Sequence, residues 1–154
     1  MMTADSATTR IIGFYGFSES GKTTLIEQAI SHLKQAGYGV AAIKQSDQSV
    51  QMDQEGKDTW RFSASGAEMV ALRTPVGTSP VFNEELEIRE LIGLMMAHHR
   101  PDFILVEGAN NAWIPKIRIG SITDRENTVW TYNGIFEDLI QTIFEKGEPC
   151  IPFK

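Results

Sequence analysis

The stretch GFSESGKTT, from Gly16 to Thr24, follows the apolar run IIGFY and decides how the rest of the chain is interpreted. Gly16, Gly21, Lys22 and Thr23 match the pattern G-x-x-x-x-G-K-[ST] without a mismatch. Glycines allow the backbone to turn with its N–H groups pointing inward, where they hold phosphate oxygens. The stretch therefore predicts a phosphate-binding loop between a strand and a helix.

Each part of this phosphate loop has a predicted task. The helix that begins at Lys22 offers free N–H groups and the positive end of its dipole to an anion. Lys22 is predicted to reach the β and γ phosphates, and the Thr23 hydroxyl to complete the shell of a Mg²⁺ ion. The predicted phosphate-binding set is Gly16, Ser18, Glu19, Ser20, Gly21, Lys22, Thr23 and Thr24. The structural alternative is a plain glycine-rich turn, which the flanking strand and helix patterns disfavour.

Short apolar runs alternate with amphipathic stretches along the chain, a pattern typical of βαβ units. The predicted strands cover residues 10–15, 40–44, 69–74, 103–108, 116–120 and 128–132, with a further short strand in 75–82 that its prolines and glycine interrupt. The predicted helices cover residues 22–36, 57–65, 84–99 and 135–146, and residues 45–55 form a long loop. These elements predict an α/β three-layer sandwich with a mostly parallel sheet, the P-loop NTPase fold. Ligands of such sheets bind at the carboxyl ends of the strands.

Three details of the third predicted helix are open to test. Asn83 is predicted to be the N-cap of the third helix, with Glu84 and Glu85 in its first turn. The predicted apolar face of this helix consists of Ile88, Leu91, Ile92 and Met95. His98 and His99 end it, and neighbouring residues on a helix point about 100° apart, so both cannot serve one metal ion. A favourable position for histidine at a helix C-terminus is the simpler interpretation.

Composition and charge exclude several classes of protein. At 154 residues the chain is long enough for one domain, and we expect a polar tail over residues 1–9 and a single nucleotide-binding domain over residues 10–154. The net charge of −6 disfavours a nucleic-acid partner bound by bulk electrostatics. No apolar run reaches the roughly 18–20 residues of a membrane span, and the N-terminus lacks the pattern of a signal peptide. The single cysteine, Cys150, cannot form an internal disulfide, so we expect a cytoplasmic protein without a membrane partner.

A nucleotide–Mg²⁺ site normally adds a carboxylate from the end of another strand. Glu107 ends the apolar strand FILVE, so its side chain is expected at the carboxyl edge beside the phosphate loop; a surface acid is the alternative. Asp53 begins DQEG, which has the D-x-x-G form of a switch segment, although this short pattern is weak on spacing alone. Asp53 is therefore a candidate to bind Mg²⁺ or to hold a catalytic water. Asp58 is a third acid, for which helix capping is the favoured role.

Several motifs in the same order make the chain similar to the molybdopterin-guanine dinucleotide biosynthesis protein B (MobB) family. The resemblance covers about residues 11–120. It depends on GFSESGKTT, IK at Ile43–Lys44, D-x-x-G-K-D at Asp53–Asp58, SGA at Ser65–Ala67, LVEG at Leu105–Gly108 and PKI at Pro115–Ile117. Members of this family are small P-loop GTP-binding proteins, and the resemblance implies that fold and a homodimer here.

The resemblance also implies a function and strengthens the site assignments. It implies binding of GTP with Mg²⁺, slow hydrolysis, and assistance to the guanylyltransferase that attaches GMP to molybdopterin. Thr23, Glu107 and Asp53 are then the expected Mg²⁺ residues, and Lys22 and Asp53 the expected catalytic ones. The chain contains no N-K-x-D or T-K-x-D sequence, so the preference for guanine comes from the resemblance and not from a motif.

The chain departs from the family pattern in three places. After IK the family commonly carries histidines, whereas this chain has Gln45–Gln48, and after VEG it has Ala109 and Asn110 in place of an aromatic residue and a lysine. The region from Ser121 onward is only loosely similar, and in relatives it helps to hold the base. Trp130, Tyr132 and Asn133 are candidates to line a base pocket, with a role in the core as the alternative.

Two other functions use the same phosphate loop. A small-molecule kinase needs a lid rich in arginine, and residues 45–55 contain none. A non-hydrolysing adaptor that binds nucleotide as a structural ligand is the other alternative, and the departures after IK and VEG motivate it.

Overall fold

The computed structural model describes residues 8–150, which form two compact units. The first unit consists of residues 8–46 and 95–150, and the second of residues 47–94. Of the predicted polar tail, residues 1–7 lie outside the described range. Thr9 is buried, and its hydroxyl donates a hydrogen bond of 2.6 Å to the carbonyl of Pro101.

Among the described residues, none of the helices combines the length and the apolar character that crossing a membrane requires.

The first unit is built around a six-stranded, mostly parallel sheet, as the alternating pattern predicts. Its strands are β1 (Arg10–Gly16), β2 (Val40–Lys44), β5 (Phe103–Glu107), β6 (Lys116–Ile119), β7 (Thr128–Thr131) and β8 (Glu148–Pro149), and its helices include α1 (Lys22–Gln35) and α4 (Phe136–Lys146). The strand order is β2-β5-β1-β6-β7, and all of these pairs are parallel. The predicted α/β class with a mostly parallel sheet is confirmed.

The strand β8 is the element of this sheet that the sequence pattern did not predict. It pairs antiparallel with the start of β1, where Arg10 lies opposite Pro149 and Ile11 opposite Glu148. The other edge of β1 is already paired with β5 at these residues. A strand of two residues contains too little pattern to be recognised from sequence.

The two faces of β1 are covered in different ways. Ile12 and Phe14 belong to one apolar cluster with side chains of α1 and α4, among them Leu25, Leu33 and Leu139. On the opposite face, Gly13 is approached by Ala109, Ile114 and Lys116, which belong to β6 and to the irregular segment before it. One face of the central strand therefore packs on helices, and the other packs on irregular backbone.

The second unit contains α2 (Asp58–Ala64) and a two-stranded antiparallel sheet of β3 (Met69–Thr74) and β4 (Gly77–Phe82). The short strand predicted in 75–82 is β4, but the predicted interruption is wrong, because β4 runs through Pro80 without a break. Proline has no backbone N–H to donate to a neighbouring strand. It is tolerated there because both strands of a two-stranded sheet are edge strands, where an N–H that faces the open edge needs no partner. Residues 45–55 form neither helix nor strand, as predicted.

The third helix, α3 (Ile88–His98), begins later than predicted and crosses the boundary between the two units. Asn83 is not its N-cap, because the Asn83 side chain donates to the carbonyl of Ala67 and its backbone N–H donates to Glu68. These bonds attach Asn83 to the residues before β3, and residues 84–87 are not helical. The buried residues of this helix are Ile88, Ile92 and Met96, whereas Leu91 and Met95 of the predicted face are only half-buried.

The close approach at Gly13 leads to a test of the packing on β1. A Cβ atom at Gly13 would overlap the Ala109 side chain and lie 3.3 Å from Ile114 Cγ2. We expect Gly13→Ala to lower the free energy of unfolding by about 1–3 kcal/mol, the usual cost of overpacking. The measurement is urea denaturation monitored by circular dichroism.

The control is Gly93→Ala within α3, where a Cβ atom would meet nothing within 4 Å. Alanine there is expected to raise the free energy of unfolding by about 0.5–1 kcal/mol, because glycine is the poorer helix former. Equal stability of Gly13→Ala and the unmodified chain would contradict the packing described.

Candidate functional site

The phosphate loop begins where β1 ends, and the backbone there leaves no room for a side chain at Gly16. A Cβ atom on Gly16 would lie 2.6 Å from the carbonyl oxygen of Ile119 and 2.9 Å from Ser20 Oγ. Real Cβ atoms essentially never approach other heavy atoms this closely. Only glycine therefore allows β6 and the loop to lie against each other at this point.

The loop then reverses direction through backbone conformations of the left-handed region. Glu19 has a φ of 60°, and Gly21, which immediately precedes α1, has a φ of 84°. No side chain caps α1, and its first turn contains no acidic residue. The free N–H groups and the positive end of the helix dipole are thus available to an anion.

Lys22 and Ser20 have side-chain atoms that fit a phosphate group. The Lys22 ammonium donates a hydrogen bond of 2.7 Å to the carbonyl of Phe17, so it turns back over the loop. Ser20 Oγ is buried and has no hydrogen-bond partner in the described part of the chain. A buried hydroxyl without a partner is costly, and a phosphate oxygen is a suitable acceptor for it. Ser18, Glu19, Thr23 and Thr24 are exposed.

Glu107 lies at the same edge of the sheet as the phosphate loop. It is the last residue of β5, and its register partner in β1 is Phe14, two residues before Gly16. Its side chain is half-buried. The structure thus brings together the loop and the predicted carboxylate at the carboxyl edge of two adjacent parallel strands, where ligands of such sheets bind.

Asp53 belongs to the second unit and is described with it. Its Oδ1 accepts a hydrogen bond of 2.8 Å from the backbone N–H of Gln54, whereas its Oδ2 is buried without a partner among the residues described. Asp53 lines two cavities of that unit, of about 590 Å³ and 70 Å³, together with Met52 and Val81. Its roles toward Mg²⁺ and water stay predictions.

The structure places the remaining candidates in structural positions. Asp58 is the first residue of α2 and makes no capping hydrogen bond, because the N-cap position belongs to Lys57; the predicted capping role is wrong. Trp130 and Tyr132 pack edge to face and lie against the core cluster of the first unit. Asn133 holds the start of α4, because its Oδ1 accepts a hydrogen bond from Ile135 N and its Nδ2 donates one to Asp138 Oδ2.

Neither histidine at the end of α3 is buried. Within residues 8–150, no group of three or more His, Cys, Asp or Glu side chains is arranged to hold a metal ion.

Sequence reasoning missed a polar contact between the ends of β2 and β5. The Gln45 side chain donates a hydrogen bond of 3.0 Å from Nε2 to Asn111 Oδ1, and the backbone N–H of Gln45 donates to the carbonyl of Glu107. Gln45 Oε1 is buried and has no partner in the described range. The two amides are far apart in sequence, so only knowledge of the strand order could have suggested their contact.

Sequence reasoning also left Lys116 without a role, although its side chain is completely buried at the start of β6. The ammonium donates hydrogen bonds of 2.6, 2.8 and 2.7 Å to the backbone carbonyls of Asn111, Ile114 and Glu126. Burial lowers the pKa of Lys116, an effect that the carboxylate of Glu126 opposes.

Comparison with known proteins identifies the family. The family model for molybdopterin guanine dinucleotide synthesis protein B, MobB, matches residues 11–139. The chain belongs to the MobB family. It is 37% identical over 109 residues to the molybdopterin-guanine dinucleotide biosynthesis adapter protein of Haemophilus influenzae. The aligned region covers 70% of the chain and 61% of that relative.

The chain is also 32% identical over 150 residues to a Methanocaldococcus jannaschii protein whose name is the same with a provisional qualifier added. The aligned region covers 90% of the chain and 62% of that relative. The chain thus spans about three fifths of the length of these two MobB relatives.

Solved MobB structures share the fold. The crystal structure of Bacillus subtilis MobB superimposes with a TM-score of 0.68 at 21% identity, over 87% of the chain and 98% of that structure. A MobB homologue from Bacillus stearothermophilus gives a TM-score of 0.57 at 20% identity, over 79% of the chain and 75% of that structure. At these identities the likeness concerns the fold alone.

The lowered pKa of Lys116 predicts how stability depends on pH. Between the lowered pKa and the ordinary value of 10.5, the unfolded chain binds more protons than the native protein. The contribution of Lys116 to the free energy of unfolding therefore rises with pH in this window and is constant below it. We expect the stability of the unmodified chain relative to Lys116→Met to increase there by at most about 1.4 kcal/mol per pH unit.

Urea denaturation in steps from about pH 7 up to 10.5 measures this difference, with Lys146→Met, which removes an exposed lysine, as the control. A difference that stays flat up to pH 10.5 would show that the Lys116 pKa is not lowered.

Proposed function

We propose that the chain binds GTP together with Mg²⁺, hydrolyses it slowly, and serves molybdopterin guanine dinucleotide biosynthesis. Membership of the MobB family supports involvement in this pathway, and the names of the relatives from H. influenzae and M. jannaschii point in the same direction. The observation that carries the nucleotide part of the proposal is the phosphate loop. Its glycine at the end of β1, its left-handed turn and its uncapped helix together suit a polyphosphate.

Lys22 and Ser20 would bind such a ligand in different ways. Lys22 would exchange its bond to Phe17 for one to a phosphate oxygen, because a charge-assisted bond to an anion is stronger than one to a neutral carbonyl. Ser20 Oγ would gain the partner that it lacks. Catalysis by such a site is mostly electrostatic, since the ammonium and the loop amides stabilise charge on the transferred phosphoryl group.

Thr23 and Glu107 are the residues that would hold Mg²⁺. A hydroxyl and one carboxylate suit this ion, because Mg²⁺ usually keeps several waters and completes its shell with substrate phosphates. Glu107 stands at the carboxyl edge of β5, and Thr23 lies in the first turn of α1, which follows the loop. The ion would supply charge neutralisation between the β and γ phosphates. An additional role of Asp53 in binding Mg²⁺ or water belongs to the same proposal.

The proposed partners are the guanylyltransferase that attaches GMP to molybdopterin and a second copy of the chain. Support for a homodimer comes from the second unit, whose two-stranded sheet carries several exposed apolar side chains. They are Met69 and Leu72 in β3, with exposed fractions of 63% and 54%, and Val76 in the turn before β4, with 97%. A sheet of two strands has two open edges and is marginally stable alone, so contact of another copy with the face of Met69 would both cover exposed apolar surface and stabilise the sheet.

A non-hydrolysing adaptor is the second candidate. The observation in its favour is the word adapter in the names of the relatives from H. influenzae and M. jannaschii. It uses the same phosphate loop but predicts that bound GTP stays intact.

Titration with fluorescent GTP and ATP analogues, with and without Mg²⁺, tests the proposed binding. We expect preference for the GTP analogue, and we expect Lys22→Ala to weaken binding roughly tenfold to a hundredfold, the effect of losing a hydrogen bond to a charged group. Lys34→Ala is the matched control, because Lys34 is an exposed lysine near the far end of the same helix.

Other outcomes select among the alternatives. Preference for ATP would contradict the guanine assignment and favour a small-molecule kinase. Tight GTP binding without release of inorganic phosphate over long incubation would favour the adaptor. Equal binding by the unmodified chain and Lys22→Ala would overturn the phosphate-loop assignment itself.

The proposed dimer has its own test. We expect Met69→Glu to shift the chain from dimer to monomer, because a charge placed in an apolar contact between two copies is left unpaired. Light scattering coupled to size-exclusion chromatography measures the mass of each variant. Val50→Glu is the control, since Val50 is 62% exposed but lies outside the two strands. A monomeric unmodified chain, or a dimer that survives Met69→Glu, would contradict the proposed contact.

A further inference from the structure

Lys116 is the buried charge of the first unit that the proposed function does not yet use. Its side chain has no exposed surface, and its acceptors are three backbone carbonyls instead of a carboxylate. A lysine ammonium has three hydrogens, so all of its donors are used. Burying an ammonium whose hydrogen-bond acceptors are all neutral carbonyls is unfavourable. The backbone that this ammonium holds in place must therefore explain why Lys116 is buried.

Two of these carbonyls, those of Asn111 and Ile114, belong to the irregular segment of residues 108–115 between β5 and β6. A second cation, Arg125, donates from Nη1 to the carbonyls of Gly108 at 3.2 Å and Ala109 at 2.8 Å. The Arg125 guanidinium also lies 5.0 Å from the centre of the Tyr15 ring. Four carbonyls of this segment are therefore held by two cationic side chains and not by a helix or a strand.

The same segment is attached at the carboxyl edge of the sheet. It begins directly after Glu107, and the N–H of Gly108 donates a bond of 2.8 Å to the carbonyl of Phe14. Asn111, whose carbonyl accepts from Lys116, receives a bond on its side chain from Gln45. A continuous set of hydrogen bonds thus connects the buried ammonium with the end of β2, next to Glu107.

We propose that Lys116 is a positioning residue for the Mg²⁺-binding carboxylate: it fixes the 108–115 segment so that Glu107 and the Gln45–Asn111 pair keep their places at the sheet edge. The inference depends on the proposed binding of Mg²⁺ and nucleotide. Without the ammonium, the carbonyls of Ile114 and Glu126 lose the donor described for them, and that of Asn111 keeps only the backbone N–H of Ile114, so the segment gains freedom where it leaves Glu107. The phosphate loop has its own left-handed turn at Glu19 and Gly21, and the hydrogen bonds of the Lys116 ammonium go to other residues.

The test compares Lys116→Met, which keeps the length of the side chain and removes its charge, with Lys146→Met as the matched control. Affinity for a fluorescent GTP analogue is measured with saturating Mg²⁺ and with EDTA. We expect Lys116→Met to reduce the enhancement of binding by Mg²⁺ about tenfold and to leave the affinity in EDTA within about twofold, because the phosphates are held by the loop. A parallel loss under both conditions, or no loss, would overturn the inference.

A second readout needs no nucleotide. Amide hydrogen exchange of the free protein is expected to be at least about tenfold faster over residues 108–115 in Lys116→Met, with exchange in β5 unchanged. Unchanged exchange in the segment would overturn the inference. If Lys116→Met does not fold, Arg125→Gln, which removes the half-buried second cation, is expected to give the same two results, and equal behaviour to the unmodified chain would overturn it.

Failure of the proposed function gives a different pattern. An unmodified chain that binds no nucleotide, or binds it equally with and without Mg²⁺, would overturn both the function and the inference. An unmodified chain with Mg²⁺-dependent binding, together with a Lys116→Met variant that retains it, would overturn the inference alone.

Discussion

Parallel hydrogen bonding between β1 and β5 is the interaction on which the candidate site depends. The register places Phe14 opposite Glu107, so the chain continues from β1 into the phosphate loop just beyond the level at which β5 presents its carboxylate. A shift of the register by one residue would exchange the two faces of β5 and turn Glu107 away. The buried residues of both strands oppose such a shift, because Ile12, Phe14, Phe103 and Leu105 belong to one apolar cluster.

The different covers on the two faces of β1 explain where the polar groups of the first unit are found. Helices satisfy their own backbone groups, so the face of Ile12 and Phe14 needs only apolar side chains. The face of Gly13 is covered by irregular backbone, in which neither a helix nor a strand ladder pairs the carbonyls of residues 108, 109, 111 and 114. Side chains must then supply the donors, and Lys116 and Arg125 do so. A buried ammonium is thus a consequence of covering a central strand with a loop.

The sequence predicted those parts of the fold and site whose signals are local. Apolar runs located β1, β2 and β5, and the glycine and lysine spacing located the loop after β1. Predictions failed where a distant partner decides the outcome. Asn83 has the chemistry of an N-cap, but the residues before β3 take its hydrogen bonds. Lys116 begins a strand with the sequence KIRI, and a lysine there is normally exposed, so nothing local reveals three carbonyls around it.

The contact between Gln45 and Asn111 gives a physical meaning to one departure from the family pattern. The resemblance to the family predicts histidines in the stretch that follows the second strand, and imidazoles change charge near neutral pH. Here two neutral amides bind each other beside Glu107, and neither titrates. The Gln45–Asn111 pair thus adds no charge to this edge, where Lys44 of β2 lies opposite Glu107 in the register. For the proposed Mg²⁺ site, the Gln45–Asn111 pair therefore supplies hydrogen-bonding groups without charge, whereas an imidazole in its place would become positive on protonation.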